Sequence, residues 1–324
     1  MSCTGIRIIA AAALLATLDI AHAQSPAAYP AKPIRVLMPF STGGTDLVTR
    51  WLAQHLAPVI GQQIVPDART GAGGNIAFEA AARAAPDGYT LLMAPPPLVL
   101  NPILNPKTSY DPMKDLVPIS MIGAIPSVLV VHPSVPARTL KELVQVARTN
   151  PGKLAYASGG VGSTPHLAGE LFKSLTKTKV LHVPYKGAAL GLVSAMSGEV
   201  DMVVSVTSAV APFVKDNRMR ALAILDAKRV SAMPQVPTSA EAGMPQLLAV
   251  NWYILLAPAG TPQAIVDRLN AESVKAMAAP DMRERLAGLG GEPAAMTPAE
   301  TATFLRNESA QWGKVIRERG IKGE

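Results

Sequence analysis

Two short stretches of the chain concentrate groups that could do chemistry: Pro39 to Arg50, PFSTGGTDLVTR, and Ser158 to Thr164, SGGVGST. Both combine hydroxyl side chains with glycines. Such a combination binds oxyanions. An apolar run, Ile34 to Met38, leads into the first stretch, and Leu47, Val48, Trp51, Leu52 and Leu56 leave it at helical spacing, so it reads as strand, glycine turn, helix. The first turn of a helix has backbone N–H groups without partners, and the aligned peptide dipoles put partial positive charge there. Gly43 and Gly44 remove the side chains that would keep a ligand away from those amides. The alternative is structural: Thr45 caps the helix, Asp46 and Arg50 pair four residues apart, and the glycines only turn the chain. Recurrence of the pattern at Ser158 favours an anion site made from both loops. Its candidate donors are Ser41, Thr42, Gly43 and Gly44 from the first, and Ser158, Gly159, Gly160, Val161, Gly162, Ser163 and Thr164 from the second. Asp46 borders the site and repels an anion unless Arg50 neutralises it or its side chain turns to the loop backbone.

Other chemistries fit less well. There is no G-x-S-x-G, and Ser163 lies three residues from His166, within possible reach; His166 reads rather as a packing or capping residue on the following helix. His55, His132, His166 and His182 are scattered without metal-ligand spacing, so no metal is expected. Gly71-Ala72-Gly73-Gly74 resembles a dinucleotide fingerprint, but the next strand ends in Met93-Ala94-Pro95 and not in an acid that could hold a ribose. It is read as a tight turn bordering the cleft, and no cofactor is expected.

Residues 1–23 have one early arginine, Arg7, the apolar run IIAAAALLATLDI and a closing Ala-His-Ala, which together read as a cleaved export signal. Cys3, the one cysteine, leaves with it, so neither disulfides nor thiol chemistry are expected in the mature chain. With 324 residues, 49% of them apolar, two cores can be built. The formal charge of +7 is diffuse and aromatics are 4%, which favours acidic small ligands over nucleic acid.

Strand and helix patterns alternate along most of the chain. Strands are expected at Gln63 to Val65 and Tyr89 to Met93, with a helix at Ile76 to Ala85 between them; an irregular proline-rich stretch then runs from Pro95 to about Pro118. After a crossing near Ile125, strands at 128–131, 154–157, 180–183, 201–204 and 221–225 alternate with helices at 140–147, 166–175 and 190–196. The pattern returns near Val250 with a strand and helices at 262–277 and about 298–317, the last with Phe304, Leu305, Trp312 and Ile316 on one stripe. This implies an α/β fold of two lobes, each a mainly parallel sheet flanked by helices, with a ligand cleft at the carboxyl ends of the strands.

The words YPAKPIRVLMPF, GAGGN, APDGYTLL, SYDPMKDLVPIS, HLAGELF, HVPYKG, LLAPAGTP and WGKV, in that order with both glycine loops, resemble the periplasmic substrate-binding proteins of tripartite tricarboxylate transporters, the Bug family. The resemblance covers essentially the whole mature chain. It implies a Venus-flytrap fold, no enzymatic activity, a small organic carboxylate in the interlobe cleft, and two integral membrane transporter subunits as partners. The corresponding organisation is 24–125 plus 246–324 for one lobe and 126–245 for the other, in a periplasmic monomer. Departures fall on the pocket. The first loop is one residue short, Pro95 to Pro97 replace small hydroxyl residues, Val161 a frequent Asn, Pro165 a frequent Ser, Ser205-Val206 an acidic or amide pair, and Ile254 a common Gly. They imply a drier pocket suited to a monocarboxylate with an apolar or aromatic body, with Pro96, Ser205 and Trp252 as wall residues. The competing readings are a sensor module for a signalling receptor and a hydrolase using Ser163 and His166.

Overall fold

The computed structural model describes residues 29–41, 43–185 and 187–322. The export signal at 1–23 and Thr42 lie outside these residues. In chain order the elements are β1 (Ile34–Met38), α1 (Gly44–Ile60), β2 (Ile64–Ala68), α2 (Asn75–Ala82), β3 (Thr90–Ala94), α3 (Pro97–Leu104), β4 (Leu116–Val131), α4 (Leu140–Thr149), β5 (Ala155–Ser158), α5 (Thr164–Thr176), β6 (Leu181–Pro184), α6 (Ala188–Ser197), β7 (Met202–Val206), α7 (Thr207–Lys215), β8 (Arg220–Ile224), β9 (Val250–Pro258), α8 (Gln263–Ala278), α9 (Pro280–Gly288), β10 (Glu292–Pro293) and α10 (Pro298–Arg319). A 3-10 turn, Ala72–Gly74, precedes α2.

The strands order as β2-β1-β3-β9-β4-β7-β5-β6, with β8 and β10 also paired to β4. The first lobe is built on β2, β1, β3, β9 and the first part of β4; the second on the rest of β4 with β7, β5, β6 and β8. Pairing within β2-β1-β3 and within β6-β5-β7 is parallel, whereas every pair made by β4 or β9 is antiparallel. The sheets are therefore mixed, because the strands that link the lobes run against those fed by helical crossovers.

β4 is the main departure from the sequence pattern. It was expected over 128–131 only, but runs for 16 residues. Pro118 and Pro126, which lack a ladder N–H, do not end it: Pro118 sits at a register irregularity and Pro126 where β9 stops pairing. From Ser127 onward the partners are β7 and β8. The irregular stretch expected after Pro95 contains α3, which opens with proline at its first position, where a missing N–H breaks no intrahelical bond. α7, which holds an internal Pro212, and α9 were not legible as helices.

Period-2 alternation sorts the strands between cores. Ile34, Val36 and Met38 face α1, with Val48, Leu52, Leu56 and Ile60 packed on them. Leu37, Leu92 and Ala94 face the other side, where Phe78 of α2 and Leu98 to Leu100 of α3 meet them. In the second lobe Val128 and Val130 pack with Leu192 and Ala195 of α6, and Leu129 and Val131 lie on the face covered by α5. The α5 side is continuous across both lobes because α10, through Leu305, Trp312 and Ile316, packs on β4, α3 and α5.

Trp252 is fully buried in that core, not at a cleft wall. Its indole N–H donates to Glu308 Oε2 at 2.9 Å, and the Trp312 indole donates to the same oxygen at 3.2 Å. Burial pushes the Glu308 carboxyl above the usual range, with the two indoles acting against it. A carboxyl raised in the folded state favours folding at low pH and loses that contribution as pH rises through its folded value. Thermal unfolding of the parent protein should therefore lose stability as Glu308 ionises, between about pH 4 and the folded value. Glu308→Gln, which keeps a carbonyl acceptor for both indoles, should flatten that part of the profile in calorimetry.

Candidate ligand-binding cleft

The turns after β1, β2 and β3, and those after β5, β6 and β7, all leave carboxyl ends of parallel strands. Loops of the two lobes touch: a Cβ on Gly162 would lie 2.6 Å from Leu104 Cδ1, at the end of α3. The glycine turn after β2 adjoins the first loop as well, since a Cβ on Gly74 would lie 2.9 Å from Pro39 Cβ.

The first loop presents an uncapped helix. α1 begins at Gly44, with Gly43 at the N-cap in a positive-φ conformation and no side-chain cap. Thr45 is thus inside the helix, where its carbonyl accepts from Thr49 Oγ1 at 2.6 Å. The first intrahelical bond is Leu47 N–H to Gly43 O, 3.1 Å. Among the described residues the N–H groups of Gly44, Thr45 and Asp46 find no acceptor. Asp46 accepts from Arg50 Nε at 2.8 Å, so its charge is balanced one turn up the helix. Ser41 is exposed beside the turn. Pro96, at the N-cap of α3, is buried.

The second loop is engaged with itself. Ser158, 1% exposed, shares a 2.7 Å bond with His182 Nε2 and also bonds the Gly160 carbonyl and amide. Ser163 Oγ donates to Gly160 O at 2.7 Å, and Gly162 N–H donates to His166 Nδ1 at 2.9 Å. Ser163 and His166 are therefore turned to backbone groups and not to each other. Gly159 packs on the start of α6, where a Cβ would lie 2.8 Å from Ala188 N. Val161 is half-buried, Thr164 opens α5, and Pro165 has no N–H to give. Ser205, 7% exposed, lies near the end of β7 opposite Val128.

Behind this loop three rings stack. His166 and His182 centroids are 4.0 Å apart, and His182 and Tyr156 4.8 Å. Gly169 leaves room for the Tyr156 ring, whose hydroxyl donates to Glu170 Oε1 at 2.9 Å. Glu170 also binds Lys173 and, at 2.9 Å, Arg319 of α10. Burial pushes the Glu170 carboxyl up, but Lys173, Arg319 and Tyr156 outweigh it and the net shift is down. Burial, then His182, lowers His166 to about 4, which keeps Nδ1 free to accept the Gly162 amide. Burial lowers His182 too.

Sequence reasoning passed over Tyr253. It lies in β9 one position past Ile254, the residue paired with the last residue of β3, and so at the cleft end of the sheet. Its ring is in the core under α1, and its hydroxyl comes so close to Gly44 that a Cβ there would overlap it. Alternation along NWYILLAP puts Tyr253 on the face opposite Trp252, but only the pairing with β3 brings it to the start of α1.

A family model described as Tripartite tricarboxylate transporter family receptor matches residues 48–321. The chain belongs to this family. Protein BugT of Bordetella pertussis (strain Tohama I) is 38% identical to this receptor over 311 residues, 95% of each chain. Among solved structures, R. palustris Rpa4515 with adipate is 34% identical, covers 91% of the receptor and 99% of its own chain, and superposes with a TM-score of 0.77. MatC from Rhodopseudomonas palustris with bound malate is 31% identical, covers 89% and 100%, and has a TM-score of 0.73. The receptor thus has the two-lobed α/β fold of a periplasmic binding protein, in a family of solute receptors.

A histidine held neutral in the fold stabilises it fully above its unfolded pKa, and that contribution falls as pH drops toward the folded value. Stability of the receptor should therefore decline between pH 6.5 and about 4 through His166. His166→Gln, which retains an acceptor for the Gly162 amide, should reduce the slope in that window, as read by chemical unfolding at a series of pH values.

Proposed function

We propose that this receptor closes its lobes, 24–125 with 246–324 and 126–245, on a small organic carboxylate in the periplasm and delivers it to integral membrane transporter subunits. The observation that carries the reading is the uncapped first turn of α1 at the carboxyl end of β1, with the Asp46 charge paired to Arg50. A carboxylate there accepts from the Gly44, Thr45 and Asp46 amides, with Ser41 beside it, and lies at the positive end of the helix dipole. The second lobe supplies the opposite wall through Ser158 to Thr164 and Ser205. The self-bonded geometry of that loop makes it a preformed surface. It loses little conformational freedom on closure. Adipate and malate in the two related structures are both small carboxylates, which supports the same class here. Ile254 is fully buried on the Trp252 face of β9 and not at the cleft; the apolar groups at Pro96 and Val161 favour a ligand with an apolar body.

A thermal-shift panel of monocarboxylates and dicarboxylates on refolded, ligand-free protein tests this. At least one acid should raise the melting temperature, and Gly44→Ala, whose methyl meets the Tyr253 hydroxyl at the binding turn, should weaken that acid. A partly buried helix terminus contributes up to about 2 kcal/mol to an anion, so complete loss of the turn corresponds to roughly thirty-fold in affinity. Folded protein that responds to no acid would rule the proposal out.

A further inference from the structure

Tyr253 brings a side chain to the start of α1 that no loop motif contains. Three observations define its position. It is 6% exposed, with its ring in the core that α1 shares with β1, β3 and β9. Its nearest atom to the Cβ position of Gly44 is the hydroxyl oxygen, followed by Cζ and then Cε1, so the phenol approaches the helix tip-first. Among the described residues that hydroxyl has no hydrogen-bond partner. Burial pushes the phenol up to about 12, so it is a neutral O–H donor at physiological pH.

The ring is buried, but the hydroxyl oxygen is not one of the described polar atoms sealed off without a partner, which are Ser239 Oγ and Ser273 Oγ, so an acceptor from outside the core can reach it. An acceptor that reaches it lies beside Gly44, at the start of α1. Glycine at position 44 is what lets the phenol reach that place, since any side chain would displace it. Amides alone would bind a carboxylate, a phosphate or a halide with little discrimination. A fixed O–H rising from the sheet floor adds a donor from a second direction and so selects for a planar group with two acceptor oxygens.

We propose that Tyr253 is a ligand-binding residue whose phenol donates to the carboxylate held by the first turn of α1, and that it sets the preference of the site for carboxylates. The proposal rests on the carboxylate reading of the cleft. Gly44 is then a clearance residue for Tyr253 as well as an amide donor.

The test uses Tyr253→Phe in the full mature chain, with adipate, malate, hexanoate and benzoate as calorimetric probes and the tightest binder of the parent carried forward. Loss of the hydroxyl should weaken that acid at least about ten-fold, the range for a hydrogen bond to a charged group. The melting temperature of the ligand-free variant should stay close to that of the parent, because among the described residues no protein hydrogen bond is removed. A structural role would instead lower the ligand-free melting temperature. Affinity within two-fold of the parent, or a ligand-free variant that melts clearly lower, overturns the assignment of Tyr253 and leaves the carboxylate reading standing. A parent protein that binds none of the four acids overturns both.

Discussion

The fold depends on β4 pairing with different strands along its length. Over its first part it pairs with β9, and from Ser127 onward with β7 and β8. One continuous strand therefore belongs to both sheets. The chain returns through the segment after β8, where Leu225 N–H bonds Ser127 O and Ala249 N–H bonds Leu225 O. Because these crossings are backbone ladders at the level of Ser127, the carboxyl ends of both parallel strand sets are brought to the same junction.

Two lobes, two treatments of the same motif. Both glycine loops join a strand to a helix, but among the described residues the first leaves its helix amides without acceptors, while the second satisfies several of its donors internally. The difference lies in the neighbours. Gly43 has no side chain to cap α1, and the Tyr253 hydroxyl beside Gly44 makes no hydrogen bond to the helix amides among the described residues. Around the second loop, His166 and His182 are neutral acceptors or donors within reach of Gly162 and Ser158, and the rings are fixed in one stack, His166 on His182 and His182 on Tyr156. In the proposed cleft the first loop would take the ligand's charge and the second would form a rigid wall.

The Glu170 cluster connects that wall to the C-terminal helix. Tyr156, whose ring closes the histidine stack, bonds Glu170, and Glu170 is held by Arg319 of α10. The carboxylate has two cations and a phenol around it, so its burial is compensated. α10 packs across both lobes on the side away from the α1 face, which makes this ion pair part of the scaffold against which the second loop is set.

The sequence by itself determined the local pieces: apolar alternation placed most strands, glycine turns before amphipathic runs placed the helix starts, and the Asp46 to Arg50 spacing paired those charges. Its ordered family words gave the lineage and, with it, the two-lobed fold. It did not disclose the length of β4, because prolines read as breaks unless bulges and a change of partner accommodate them. Nor did it show which helix start stays open, or that Tyr253 lies beneath Gly44. Local pattern fixes where donors arise, since that follows from dihedrals and periodicity over a few residues. Whether a donor remains free is decided by groups tens or hundreds of residues away, and only the packed tertiary structure brings those into contact.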